Sequence, residues 1–394
     1  MTVILRLNKH GLLPIIRVRA QSPTCLCLSE AKGMMKSMNR KQAIVWICMF
    51  VIMIVLFPIS LFFINKTETE NQEYRELAEI PSLTENNLDE LIPQLENYIN
   101  DHIPSRSQII ESVNLFKMKI LNSSASDKVI CGSDGWMYLT ESVDWYRGEQ
   151  LYSEEELNII IDKLLFLSNK MKENENEFIL FIAPNKATIY PEYLPETIGE
   201  KHYNKTEQLI EALEENEITY IFPTESIISQ KDTLQLYAKR DTHWNSVGAY
   251  IASYELNKYM NTNIPTIDEI DIYPKEYEGE DLLRMMNLAG NWEKEEDYDF
   301  VGYAPGCIIN MIDWDSTGNT IWYQTIGADN KKVYLLRDSF GHKMINFIAA
   351  GSSDFCVRHI DLFYPESIDE EAPDYLILEL VERRLDELLH MTFN

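Results

Sequence analysis

The chain has 394 residues, 45% of them apolar, which suffices for one large domain with accessories or for two domains. A formal net charge of −28 argues against nucleic acid as a partner, because a phosphate backbone would be repelled. The charge is unevenly spread: residues 1–42 carry eight Lys or Arg against the single acid Glu30, a net of +7 that leaves −35 for the rest.

The first predicted element is a membrane span. Residues 43–64 contain no charged side chain in 22 positions, and at about 1.5 Å per residue a helix of that length covers about 33 Å, the depth of a bilayer's hydrocarbon core. Lys36, Arg40 and Lys41 precede it, and Glu68 and Glu70 follow. The positive-inside bias then predicts a cytoplasmic N-terminus and a single-pass protein at the cell membrane, with its C-terminal domain outside. The competing reading is a cleaved signal peptide, whose apolar region would be about 7–15 residues and end in a small-x-small site; neither feature is present. Met34, Met35 and Met38 are alternative starts for the basic stretch 1–42. Only Cys131, Cys307 and Cys356 lie beyond the span, and no CxxC or Cys/His cluster suggests a structural metal.

Residues 65–87 are polar and acidic and read as a stalk. The folded part, 88–394, opens with a helical lead-in over Leu88–Leu121 broken at Pro104. Lys128–Leu139 reads as two short strands around Ser133-Asp134-Gly135. Ser153 with Glu156 forms a capping box before a helix reaching about Lys172. Strands and helices then alternate: strand Phe178–Ala183 followed by Pro184-Asn185-Lys186, helix Lys205–Glu215, strand Ile218–Phe222, helix Thr224–Gln230 and helix Val247–Met260. Further on come strand Val333–Leu336, helix Gly341–Ala350, and strand Tyr375–Leu380 running into helix Val381–His390. The less regular stretch 261–332 reads as loops. Such alternation predicts an α/β protein with a mainly parallel sheet covered on both faces.

Two patches carry candidate chemistry. In Asp241-Thr242-His243-Trp244, the acid and the imidazole are two residues apart, so in an extended segment they point the same way. Asp338-Ser339-Phe340-Gly341 directly follows an apolar strand, which places the Ser339 hydroxyl at the strand's carboxyl end, where ligands bind on such sheets. Together they offer nucleophile, base and orienting acid: Ser339, His243 and Asp241. The competing role for Ser339 is a helix N-cap, and for His243 a hydrogen-bonded structural histidine. Asp241 and His243 are also metal-ligand types, but the sequence shows no third ligand at suitable spacing, and no metal or cofactor is expected. Trp244 reads either as a wall of the site, stacking on a sugar ring, or as a core aromatic. Asn185 and Lys186, just past a buried strand, are candidates for oxyanion or substrate binding, or plain loop residues.

Several motifs, in order, carry a family resemblance: Gly-Ser-Asp-Gly-Trp-Met-Tyr at 132–138, Pro-Asn-Lys at 184–186 with Tyr190-Pro191, Asp-Thr-His-Trp at 241–244, Gly279-Glu280-Asp281-Leu282, Asp-Ser-Phe at 338–340 and Val381-Glu382-Arg383. Over roughly residues 95–390 the chain resembles the DHHW proteins and the SGNH-hydrolase-like domain of the alginate O-acetyltransferases AlgJ and AlgX. The resemblance implies an SGNH-type α/β/α sandwich with the triad in the order Asp241, His243, Ser339. It implies a membrane-tethered acetyltransferase acting on polysaccharide hydroxyls, with a membrane-bound O-acyltransferase as acyl donor. Thr242 departs from the second position of the Asp-His-His-Trp name, and Arg337 stands where a glycine often precedes Asp-Ser, which bears on the shape of the nucleophile turn. Two other functions stay open at this level: a carbohydrate acetylesterase using the same triad, and a catalytically silent glycan-binding or scaffold partner of the acyltransferase.

Overall fold

The segment Glu177–Ala183 explains the centre of the fold. Phe178, Leu180 and Ile182 face one apolar cluster while Ile179, Phe181 and Ala183 face another, so the strand is buried on both sides. Val333 and Leu335 against Tyr334 and Leu336 repeat the division, as do Tyr375 and Ile377 against Leu376 and Leu378. A computed structural model describes residues 44–52, 78–81, 88–101, 106–121, 123–290 and 292–392.

The strands are β1 (Val129–Cys131), β2 (Met137–Leu139), β3 (Glu177–Ala183), β4 (Tyr220–Ile221), β5 (Asp271–Glu276), β6 (Glu296–Val301), β7 (Ile308–Trp314), β8 (Thr320–Ile326), β9 (Lys332–Arg337), β10 (Asp354–His359) and β11 (Tyr375–Val381). Seven of them form one sheet in the order β4-β3-β11-β9-β10-β8-β7. β4, β3, β11, β9 and β10 run parallel to one another, whereas β8 pairs antiparallel with both β10 and β7. The sheet is therefore mixed, which corrects the expectation of a mainly parallel one. The cause is the stretch 261–332 that reads as loops: it supplies the hairpin β7–β8 and the separate pair β5–β6.

Helices cover both faces. Glu154–Lys172 and Lys205–Glu215 pack with the cluster around Leu180 and Leu336, while Ser246–Tyr259 and Ile345–Ala350 pack with the cluster around Phe181 and Leu335. The result is an SGNH-like α/β arrangement with a mixed sheet. Glu154–Lys172 starts on the expected capping box, with Ser153 accepting from the Glu156 N–H and Glu156 accepting from the Ser153 N–H. The 132–138 motif is the β1–β2 hairpin, where Asp134 and Gly135 take φ of 50° and 79° at its turn.

The chain divides into two units, 1–70 with 76–106 and 71–75 with 107–394. In the first, residues 44–52 and Leu88–Asp101 are helical, and the Ala78 N–H donates to Asp101 Oδ2 at 2.9 Å. The expected membrane span, 43–64, lies largely outside the described residues, as does most of the stalk. Among the described residues no helix is long and apolar enough to cross a membrane.

Candidate active site

The loop carrying Asp241 is held from beneath by Lys186. The Lys186 ammonium donates to the carbonyls of Ala238 at 2.9 Å, Lys239 at 3.0 Å and Asp241 at 2.6 Å. Lys186 is buried; burial brings its pKa down to about 8, against the opposing charges of Asp281 and Asp241. With its donors committed to three carbonyls, it shapes the loop.

Asp241 is 3% exposed and fully used as an acceptor. Its Oδ1 accepts from His243 Nδ1 at 2.7 Å, from the His243 N–H at 3.0 Å and from the Tyr277 hydroxyl at 3.2 Å, and its Oδ2 accepts from the Asp281 N–H at 3.0 Å. Burial on its own would raise this carboxyl, but the hydrogen bond and charge of His243 and the two backbone donors hold it well below the usual carboxylate range. An ionised Asp241 fixes the proton of His243 on Nδ1, so Nε2 is the acceptor. His243 Nε2 lies 2.9 Å from Ser339 Oγ.

Ser339 follows the carboxyl end of β9 and is exposed, at the start of the 3-10 turn Phe340–Met344. Two buried carboxyls brace that turn. Asp338 Oδ1 accepts from the Phe340 N–H at 2.7 Å and Oδ2 from the Val381 N–H at 3.0 Å. Glu379 Oε2 accepts from the N–H groups of Asp338 and Gly341 at 3.1 and 3.0 Å. The Trp244 indole, wholly buried, donates to the Phe340 carbonyl at 3.0 Å. It joins the two patches from inside the core, beside the cavity at Ser339. Arg337 is also largely buried, and its Nη1 donates to the Asp338 carbonyl at 3.0 Å.

Asn185 lies one step removed. It is 1% exposed, its Oδ1 accepts from Arg383 Nη1 at 3.2 Å, and its Nδ2 has no partner among the described residues. The Arg383 guanidinium lies 5.0 Å over the Phe340 ring, which links Asn185 to the nucleophile turn.

Sequence reasoning missed the role of Asp281. Its carboxylate accepts from the Thr242 N–H at 2.7 Å and from the Thr242 hydroxyl, and lies 3.7 Å from His243 Nδ1. Burial and the charge of Asp241 raise its pKa. The signal was the Gly279–Leu282 motif, which carried resemblance but no chemistry. Asp281 also supplies in space the third metal-ligand type absent from the local sequence: Asp241, His243 and Asp281 offer ligand atoms within 4.8 Å of one another. Those carboxylates are already engaged by protein donors, so the arrangement is complete as a hydrogen-bonded one. Ser339 and His243 open onto a cavity of about 590 Å³, lined also by Tyr277, Arg284, Arg337, His342 and Lys343.

A serine at a strand end, joined through imidazole to an acid two residues before the histidine, on an SGNH-like α/β fold, defines the hydrolase-type class of this site. Residues 129–290 match the family described as SGNH hydrolase-like domain, acetyltransferase AlgX, so the resemblance carried by the motifs is borne out. That match includes Asp241, His243 and Asp281 and ends before Ser339. The chain is 25% identical over 132 residues to the probable alginate O-acetylase AlgJ of Pseudomonas putida, covering 32% of each chain, so it spans about a third of that relative. Among solved structures it is similar to a DHHW family protein from Eubacterium siraeum (TM-score 0.48, 14% identity, 66% of this chain and 93% of that one). It is also similar to the O-acetyltransferase domain of Pseudomonas putida AlgJ (TM-score 0.43, 15% identity, 68% of this chain and 93% of that one).

Proposed function

We propose that this chain is a serine O-acyltransferase of SGNH type that acetylates hydroxyl groups of a cell-surface or secreted polysaccharide. The observation that carries the reading is the hydrogen-bonded line Asp241–His243–Ser339, with links of 2.7 and 2.9 Å, at the carboxyl end of β9. In the first half-reaction His243 Nε2 takes the Ser339 proton as Oγ attacks the acyl carbonyl, and the tetrahedral intermediate expels the donor's leaving group, which receives that proton from His243. In the second, a sugar hydroxyl attacks the acyl-serine, His243 takes its proton, and the ester leaves with the acetyl group while Ser339 Oγ recovers a proton. Asp241 keeps the imidazole in the productive tautomer and stabilises its charged form. The donor partner is a membrane-bound O-acyltransferase, and the chain is held at the cell membrane by residues 43–64 with its catalytic domain outside. A C-terminal tag digested by protease on intact cells is the expected sign of that topology, and a protected tag contradicts it.

The test of the chemistry is acetate release from an aryl acetate and transfer to oligosaccharides by the full chain. Ser339→Ala is expected to abolish both while thermal unfolding stays within a few degrees, because an exposed hydroxyl adds little to the core. Equal rates in a folded Ser339→Ala would overturn the enzyme reading in favour of a binding or scaffold role.

A further inference from the structure

β11 reads Tyr375-Leu-Ile-Leu-Glu-Leu-Val381, and every residue of it is buried. Tyr375, Ile377 and Val381 face the cluster that contains Phe340 and Trp244, and by alternation Glu379 belongs to that same face. An acid in such a row is costly unless it is matched by donors. Glu379 has two, the N–H groups of Asp338 and Gly341, both on its Oε2, while its Oε1 has no partner among the described residues.

Across Asp338–Gly341, three backbone N–H groups are thereby consumed by two buried carboxyls: Asp338 and Gly341 by Glu379, Phe340 by Asp338. Between these anchored groups lies Ser339, whose own N–H adjoins the attacking Oγ. Gly341 confirms how tightly the carboxyl is packed, for a Cβ there would lie 2.6 Å from Glu379 Oε2 and 2.6 Å from Arg337 Cβ. We propose that Glu379 is a positioning residue for acyl transfer: it locks the nucleophile turn from below so that the Ser339 N–H, next to the attacking Oγ, stays free to donate to the developing oxyanion. The proposal rests on the acyl-transfer reading above. It reaches the substrate only through the backbone, and so predicts an effect on the transition state and little on ground-state binding.

Burial, followed by the charge of Asp338, raises the Glu379 pKa well above its ordinary value. Gln keeps the side-chain length and one carbonyl oxygen that can accept from both N–H groups, whereas Asp is one methylene too short to reach both and Leu offers no acceptor. In the full chain, kinetics with an aryl acetate and inhibition by an arylboronic acid, which forms a tetrahedral adduct on serine, are to be measured for Glu379→Gln, Glu379→Asp and Glu379→Leu. Expected are a fall in kcat of about 10²-fold for Asp and Leu with KM changed less than about threefold, a parallel loss of boronate affinity, and recovery of most of both in Gln. If Leu does not fold, the Asp and Gln pair decides. Wild-type kcat and boronate affinity in a folded Asp variant, or a Gln variant as slow as Asp, would overturn the role of Glu379. Failure of the acyl-transfer reading itself shows separately, as wild-type turnover in Ser339→Ala.

Discussion

Gly279 sits where the lack of a side chain is required: a Cβ there would come within 2.4 Å of both Asp241 Oδ2 and Tyr277 Cε1. The close approach lets the backbone of Asp281 reach Asp241 and lets the Asp281 carboxylate hold Thr242. Gly279→Ala must displace one of two buried, hydrogen-bonded groups. It is expected to cost about 1–3 kcal/mol in stability and to slow aryl acetate turnover by about tenfold or more through a misplaced Asp241. Thermal melts and kcat measurements check this, and unchanged turnover would show that the acid tolerates the shift. At this scale the triad was legible because its members lie in two short patches with a diagnostic spacing. Asp281 and Glu379 were not, since each acts on residues about forty positions away, a separation no local pattern encodes. A readable trace of Glu379 did exist, as the one acid in an otherwise apolar strand. Lys186, flanking a strand end, read as a binding or a plain loop residue; its three carbonyl partners show that it braces the loop of Asp241.

β9 and β11 lie side by side, pairing Leu378 with Leu336, so the segment from Glu379 onward runs beneath the turn that follows β9. That adjacency makes the turn's stability depend on pH. Since the folded pKa of Glu379 is raised, its favourable contribution is complete below the unfolded value of about 4.3 and is lost as pH rises from there toward the folded value. Glu379→Gln removes that loss, so the melting temperature of the variant minus that of the wild type is expected to grow between about pH 5 and 8. A constant difference across that range would mean that Glu379 is ionised throughout. Most helices and buried strands were legible from apolar runs and caps. β7 and β8 were not: Ile308, Met311, Ile312 and Trp314 of β7 are exposed, so that strand shows no alternation against a core, and in β8 Ile321, Trp322 and Tyr323 alternate between the two clusters but are only half-buried. Their hairpin left one signal, the Asp315-Ser316-Thr317-Gly318-Asn319 turn with Gly318 at φ 70°. β10, short and ending in Arg358 and His359, was also passed over.

For the molecule as a whole, a basic start, an uncharged stretch and an acidic body are the sequence features on which the proposed tether rests. The fold brings the carboxyl ends of β3, β9 and β11 to one edge, where Asn185, Ser339 and Arg383 all follow strand ends. The most direct measurement is peptide mapping by mass spectrometry of the full chain after brief exposure to an aryl acetate at neutral pH. The expected result is an acetyl group on the peptide containing Ser339, absent in Ser339→Ala and strongly reduced in His243→Ala. Acetylation confined to other residues, or equal labelling of Ser339 without the histidine, would contradict the triad as the centre of this protein's chemistry.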